Sequence, residues 1–77
     1  MHAADGDRVA MLWQLAWDEN RLWCSVYLRR GKLELTVEST TATIVTEPFD
    51  LEPRAVARAQ ALREALKRRG WKEAASG

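Results

Sequence analysis

Apolar residues recur at every second position through the first half of the chain, which is the period of a β-strand with one buried face. Three such runs, at 9–17, 22–29 and 33–38, are separated by clusters of turn-forming residues. A shorter run at 43–47 ends at Pro48, because proline cannot donate a hydrogen bond to a strand ladder. The pattern therefore predicts four consecutive antiparallel strands.

Three tight turns set the register of these strands, since each turn decides which residues face one another. They are predicted at 19–20, 30–31 and 40–41, and the glycine at position 31 suits a two-residue hairpin turn. The opposed pairs that follow are Trp17 with Leu22, Leu15 with Cys24, Trp13 with Val26, Met11 with Leu28, Leu28 with Leu33, Val26 with Leu35, Cys24 with Val37, and Val37 with Ile44. Every pair joins apolar residues, so the three turns are consistent with one shared buried face.

The second half of the chain has helical spacing of its apolar residues, which predicts one helix from Pro53 to Arg69. Pro53 suits the first helical position, where a missing N–H leaves no hydrogen bond unmade, and Asp50 is an alternative N-terminal cap. Gly70 is a typical residue just past a helix, and Trp71 after it fits a Schellman motif. Four short strands need a cover for their apolar face, and this helix is the one predicted element that can provide it.

The predicted fold class is therefore α+β: a four-stranded antiparallel meander packed on one face by a single C-terminal helix, in the order ββββα. Residues 1–8 are interpreted as a flexible N-terminal arm, 9–72 as a single domain and 73–77 as a flexible C-terminal tail. The side chains predicted to form the core are Val9, Met11, Trp13, Leu15, Trp17, Leu22, Cys24, Val26, Leu28, Leu33, Leu35, Val37, Ile44, Ala59, Leu62 and Leu66.

Composition agrees with one folded domain, since 47% of the 77 residues are hydrophobic and 30% are charged. The net charge of +1 predicts no strong attraction of the whole molecule to nucleic acid or to anionic lipid. No apolar run approaches the about 20 residues that a membrane helix needs. The N-terminus also lacks the basic and apolar regions of a secretory signal, so we expect a cytoplasmic protein that does not bind membranes.

Side chains suited to catalysis are few. His2 is the single histidine, so neither a Ser-His-Asp triad nor a histidine-rich metal site can be assembled in the predicted domain. Cys24 is the single cysteine and falls on the predicted core face, where a thiol is unreactive and no disulfide is available. The glycines are isolated, which excludes a glycine-rich phosphate loop. We predict no catalytic residue, no metal site and no cofactor, and we expect that the protein is not an enzyme.

Carboxylates also fall on the face of the predicted sheet that is turned away from the helix, called the outer face below. In the predicted register Glu34 and Glu47 are cross-strand neighbours there, with Glu38 on the same face. A close acidic pair can raise the pKa of one carboxyl group or hold a divalent cation. On an open sheet surface, however, a solvated acidic patch is the preferred interpretation.

The best candidate binding surface is an apolar patch on the outer face of the first hairpin. An exposed apolar patch on a small protein is typical of an interface. The residues predicted to form this interface are Leu12, Trp23, Tyr27, Arg29 and Val45. One self-complementary patch is enough for a two-fold dimer, and association is a common remedy for a small core. The first hypothesis is therefore a small noncatalytic interaction domain that forms a homodimer or binds another protein.

The predicted helix suggests the alternative hypothesis, because it is rich in arginine and lysine. A basic helix can bind phosphates, although cations also complement the dipole at a helix C-terminus. The residues predicted to contact an anion or nucleic acid are Arg54, Arg58, Arg63, Lys67 and Arg68. The outer face itself is predicted to carry Arg29 against three glutamates, an excess of acid that repels phosphate.

The ββββα order from Val9 to Arg69 resembles the topology of the PC4-type and PUR-type single-stranded nucleic-acid binders, small domains that pair into dimers. This resemblance implies a single-stranded nucleic-acid-binding module as the alternative function. The alanine and arginine spacing from Arg54 to Gly70 also resembles the tail of phage-integrase arm domains. Both resemblances concern element order or a general amphipathic pattern, and fold alone does not determine function.

Overall fold

A computed structural model describes residues 7–74, which form four long strands, one helix and a two-residue fifth strand. The elements are β1 (Asp7–Trp17), β2 (Asn20–Arg29), β3 (Lys32–Ser39), β4 (Thr43–Phe49), α1 (Glu52–Arg68) and β5 (Lys72–Glu73). The predicted α+β fold in the order ββββα is confirmed. Much of the predicted arm at 1–8 and of the predicted tail at 73–77 lies outside the described residues.

The strands form one antiparallel sheet in the order β4-β3-β2-β1-β5. Arg8, assigned above to the arm, lies in β1, and Glu73, assigned to the tail, lies in β5. β5 pairs with β1 only at Leu15 and Ala16, so one sheet edge is β4 and the other is the remainder of β1. β5 is absent from the predicted fold, since two exposed residues carry no alternation that could reveal a strand.

The turn between β2 and β3 has the predicted register. Arg30 and Gly31 both have positive φ angles, 53° and 77°, as the tight turns that join hairpin strands require. Leu28 faces Leu33, and Val26 faces the residue at position 35, as predicted. This central hairpin is confirmed because its apolar alternation is unbroken and its turn includes glycine.

The turn between β1 and β2 lies one residue earlier than predicted, at 18–19. Trp17 therefore faces Asn20, and Leu15 faces Leu22, two positions away from the predicted partners. Side chains alternate between the two faces with a period of two residues. A register shift of two residues therefore leaves the predicted face of this part of β1 buried. The predicted pairs in this hairpin are wrong, but the assignment of its faces near the turn is correct.

Two β-bulges change the N-terminal half of β1. One lies between Met11 and Trp13 and the other between residues 8 and 10. A bulge adds one residue to a strand and so reverses which face the following side chains occupy. As a result Met11 faces Ser25 on the outer face, Val9 is exposed, and Leu12 packs against the core instead. The predicted core positions of Val9 and Met11 are wrong.

A third irregularity corrects the register of β4. Val37 faces Val45 and not Ile44, because the register shifts between Val37 and Glu38. Val45 accordingly packs against the core, while the Ile44 side chain is 57% exposed. The predicted core position of Ile44 is wrong. β4 also continues past Pro48, which an edge strand tolerates.

The core lies between the sheet and α1. Its fully buried members are Trp13, Leu15, Leu22, Cys24, Val26, Leu35, Val37, Ala55 and Ala59, and the partly buried side chains around them are Leu12, Leu33, Val45, Phe49, Leu62, Leu66 and Trp71. The Trp13 indole N–H donates to the Ala59 carbonyl oxygen at 2.8 Å, which fixes the helix to β1.

Helix α1 crosses the sheet diagonally, because it begins just after the end of β4 and leads to β5 beside the end of β1. A diagonal helix leaves corners of the sheet uncovered. Leu28 and Ile44 lie at those corners, and Trp17 lies beyond the C-terminal end of the helix with 51% of its surface exposed. The predicted burial of Trp17 and Leu28 is therefore wrong. Among residues 7–74, no helix is long and apolar enough to cross a membrane.

The ends of α1 are only partly as predicted. Leu51 and not Asp50 occupies the N-cap, and it makes no side-chain capping hydrogen bond. At the other end the Gly70 N–H donates to the Lys67 carbonyl at 3.1 Å, and the Trp71 N–H donates to the Leu66 carbonyl at 3.2 Å. These two hydrogen bonds define a Schellman motif, which confirms the predicted stop. The Trp71 ring then packs edge-on against Trp17, with 5.8 Å between ring centroids.

The register of β4 is tested by placing a hydroxyl group at adjacent positions. Val45→Thr keeps the branched shape but puts a hydroxyl against the core, so we expect unfolding to need about 1–2 kcal/mol less free energy. Ile44→Thr puts the hydroxyl in solvent, and its effect should stay below about 0.5 kcal/mol. Urea denaturation measures both values, and the reverse order of effects would contradict the observed register.

Candidate binding face

Among the elements described for residues 7–74, none covers the outer face of the sheet, since α1 lies on the opposite side. Strand alternation and register place the following described side chains on it: Arg8, Met11, Gln14, Ala16, Arg21, Trp23, Ser25, Tyr27, Arg29, Lys32, Glu34, Thr36, Glu38, Thr43, Thr46, Pro48 and Lys72. Of the predicted interface residues, Trp23, Tyr27 and Arg29 lie on this face. Leu12 and Val45 pack against the core instead, so their predicted place in the patch is wrong.

Two aromatic side chains on this face share one carboxylate oxygen. The Trp23 indole N–H donates to Oε1 of Glu38 at 3.2 Å, and the Tyr27 hydroxyl donates to the same oxygen at 3.1 Å. Glu38 lies directly opposite Trp23, whereas Tyr27 lies opposite Glu34 and must reach diagonally across the sheet. The shared acceptor therefore fixes the polar edges of both aromatic side chains.

The reach of Tyr27 explains why two small residues are buried on a face that no helix covers. Ser25 lies between Trp23 and Tyr27 along β2, and Thr36 lies opposite Ser25 on β3. Ser25 is 0% exposed and Thr36 is 4% exposed. Neither hydroxyl has a hydrogen-bond partner within the part of the chain that the structure describes. The aromatic side chains and Glu38 thus form a thin cover over this polar floor.

Arg29 completes the group at one end of β2. Its guanidinium lies 5.3 Å from the centroid of the Tyr27 ring and forms an ion pair with Glu34 at 3.2 Å. Read along β2, the outer face presents Arg21, Trp23, Ser25, Tyr27 and Arg29. An arginine therefore lies at each end of this row, Arg21 beyond Trp23 and Arg29 beyond Tyr27.

The charge of the outer face is opposite to the prediction. Five exposed cations lie on it, against the two carboxylates of Glu34 and Glu38, a formal excess of three positive charges among side chains 8–74. The cations are Arg8, Arg21, Arg29, Lys32 and Lys72. The predicted outer face includes Glu47 and omits the cations at the ends of the strands, although the alternation places some of those cations there.

Glu47 belongs to the helix side of the sheet. It faces Leu35 in the ladder and accepts two hydrogen bonds from Arg58, at 3.0 Å from Nε and 3.2 Å from Nη2. The hydrogen bond to Glu47 raises the pKa of Arg58 above its ordinary value. The predicted pairing of Glu47 with Glu34 is therefore wrong. Within the described residues, no group of three or more histidine, cysteine or acidic side chains is placed to hold a metal ion.

The basic helix is partly neutralised by ion pairs. In addition to Arg58, Arg63 donates from Nε to Glu73 at 2.6 Å, and Lys67 donates to the same carboxylate at 3.2 Å. Desolvation by burial tends to raise the pKa of Glu73, but these hydrogen bonds lower it below its ordinary value. Of the five predicted anion contacts, Arg54 and Arg68 alone form no ion pair with another described side chain.

Cys24 has the predicted environment. It is fully buried in the core, and desolvation by burial raises the pKa of its thiol to about 12. A thiol with so high a pKa is almost entirely protonated at neutral pH and is a poor nucleophile. Cys24 therefore contributes packing to the domain.

Comparison of the chain with protein-family models, with curated proteins and with solved structures gives no match. The function is therefore argued from the geometry and charge of the outer face.

The floor of the outer face is tested by Thr36→Val. A buried hydroxyl without a partner costs about 1–3 kcal/mol, and valine removes it without changing the shape. We expect the free energy of unfolding to rise by about 1 kcal/mol, measured by urea denaturation. Thr46→Val is the matched control on the neighbouring strand, where the exposed side chain should change stability by less than about 0.5 kcal/mol. A large loss of stability in Thr36→Val would contradict the burial described here.

Proposed function

We propose that this protein is a noncatalytic binding domain whose outer sheet face binds single-stranded nucleic acid. The observation that carries the proposal is the combination of two aromatic side chains with a formal excess of three positive charges on the uncovered face. Proteins that follow a single strand commonly combine a cationic surface for the phosphates with aromatic rings on which bases stack.

The order of residues along β2 fits such a ligand. Trp23 and Tyr27 are four residues apart, about 13 Å along an extended strand, and Arg21 and Arg29 lie beyond them. The polar edges of the two rings meet at Glu38, so the rings form one adjoining surface on which bases can stack, while the outlying guanidinium groups contact phosphates. β2 is the middle strand of the five, so the ligand would lie across the centre of the sheet.

The two carboxylates on this face form hydrogen bonds or an ion pair with the same side chains that we propose bind the strand. Glu38 accepts hydrogen bonds from Trp23 and Tyr27, and Glu34 is paired with Arg29. Both aromatic side chains are thus held by their polar edges. Over Tyr27 lies the Arg29 guanidinium, a planar group that can itself stack on a base. Ordering these side chains before binding reduces the conformational entropy that binding must remove.

The edges of the sheet are poorly suited to binding an extended partner. Two bulges interrupt β1, and β4 contains Pro48 and a register shift. Bulges and proline are features that oppose strand addition at a sheet edge. The open face is therefore a better binding surface than the backbone of either edge strand.

The experiment measures the binding of a fluorescently labelled single strand of about 12 nucleotides by anisotropy. Arg21→Glu on the outer face should weaken binding by about tenfold or more, and binding should weaken steeply between about 50 and 200 mM salt. Trp23→Leu should reduce the binding free energy by about 1–3 kcal/mol through loss of stacking.

Matched controls lie on the helix, where Arg54→Glu and Arg68→Glu make the same charge change away from the outer face. These variants should bind within about threefold of the parent protein. Absence of binding at about 50 mM salt would refute the proposal. Equal losses in the helix and outer-face variants would assign binding to the helix.

Self-association is a second candidate function, favoured by apolar surface on the helix side of the sheet. Trp17 packs edge-on against Trp71 beyond the end of α1 and is half-exposed, and Ile44 is exposed at a nearby corner. Two copies of the outer face, by contrast, would bring together like charges. A homodimer through the Trp17 end is consistent with the tendency of exposed apolar patches to mark interfaces.

Sedimentation equilibrium distinguishes the two surfaces for self-association. If the dimer forms through the helix-side patch, Trp17→Ser should weaken it by about tenfold or more, whereas Trp23→Ser should leave it unchanged. A dimer that depends on Trp23 would assign the interface to the outer face. A parent protein that stays monomeric at high micromolar concentration would eliminate this candidate.

A further inference from the structure

A cleft of about 400 Å³ lies at the tip of the β2–β3 hairpin, next to the outer face. Its lining consists of Arg29, Arg30, Lys32, Glu34 and Pro48. Three of these five side chains are cations, and all three are exposed. The cleft is therefore open to solvent and strongly basic.

The cations in this cleft are only partly compensated within the protein. Glu34 is its one acidic lining residue and is already paired with Arg29 at 3.2 Å. Arg30 and Lys32 form no ion pair with any side chain that the structure describes. An anion in the cleft would meet two cations that are free to pair with it.

The hairpin register adds an unfavourable contact that an anion would relieve. Arg29 and Lys32 are directly opposite one another in the ladder, and like charges at opposed positions are destabilising. Arg30 adds a third cation in the turn, at a φ of 53°. Folding alone does not favour three adjacent cations around one carboxylate, whereas binding of a multiply charged anion does.

We propose that this cleft binds the terminal phosphate monoester of a nucleic-acid strand held on the outer face, an inference that rests on the proposed function. A terminal monoester carries about 1.5 to 2 negative charges at pH 7, against one for an internal diester. Arginine can also bind a phosphate through two parallel hydrogen bonds. Because Arg29 lines the cleft and also lies over the Tyr27 ring, a phosphate in the cleft would adjoin a base stacked on the Arg29 and Tyr27 pair.

The test compares three oligonucleotides of identical sequence that carry a 5′ phosphate, a 3′ phosphate or no terminal phosphate. One of the phosphorylated strands should bind about tenfold more tightly than the unphosphorylated strand, since a charge-assisted contact is gained. Its advantage should shrink from pH 7.5 to pH 5, because the second ionisation of a phosphate monoester has a pKa of about 6.

The variant that removes the cleft cations is Arg30→Asn combined with Lys32→Gln. Asparagine tolerates the positive φ of the turn, so the hairpin should be preserved. This variant should bind all three strands with equal affinity. Because Lys32 also belongs to the outer face, the test is the ratio of affinities for phosphorylated and unphosphorylated strands in each protein. Arg21→Gln, at the opposite end of β2, is the matched control and should weaken all three strands equally.

The outcomes separate this inference from the proposed function. If none of the oligonucleotides binds, the proposed function fails and the inference fails with it. If all three bind the parent protein equally, the cleft does not recognise a terminal phosphate, although the outer face still binds the strand. A terminal-phosphate preference that survives in the Arg30→Asn, Lys32→Gln variant would also overturn the assignment to this cleft.

Discussion

The structure depends on the packing of α1 against one of the two faces of the sheet. Ala55 and Ala59 are the fully buried residues of α1, and their small side chains let the helix approach the sheet closely. The Trp13 indole crosses the gap and donates to the Ala59 carbonyl at 2.8 Å. A core made in this way holds the helix at one angle, and its diagonal course decides which sheet corners remain exposed.

Because no second layer exists among the described elements, the outer face must cover its own central residues. Trp23 and Tyr27 do so by reaching a common acceptor on Glu38 above Ser25 and Thr36. The same side chains therefore have a structural task and present the aromatic surface from which we infer binding. Substituting either ring changes the cover over Ser25 and Thr36 as well as the aromatic surface. The stability of Trp23 and Tyr27 variants must therefore be measured before their binding is interpreted.

Sequence alone predicts the parts of the fold in which alternation is unbroken. The β2–β3 hairpin is correct in register because its apolar positions keep a period of two up to a turn that contains Gly31. Bulges in β1 and β4 cannot be detected from alternation, so Met11 and Ile44 were assigned to the wrong environment. The same irregularity in β4 moves Glu47 to the helix side, but the predicted charge of the outer face changes sign because Arg8, Arg21, Lys32 and Lys72 also lie there. The aromatic part of the site was predictable, whereas the places of Arg8 and Lys72 depend on the bulges of β1 and on β5.

Charge is distributed unevenly between the two ends of the outer face. The net charge of the chain is only +1, so a cationic outer face requires acidic residues elsewhere. Two of them, Asp18 and Glu19, form the β1–β2 turn at one end of the sheet, while Arg30 lies in the turn at the other end. These two carboxylates offset Arg21 and Lys72 at their end of the sheet, so an anionic strand approaching this face is attracted most strongly toward the β2–β3 tip. Such a gradient orients a ligand before contact, and it places the most highly charged end of that ligand beside the basic cleft.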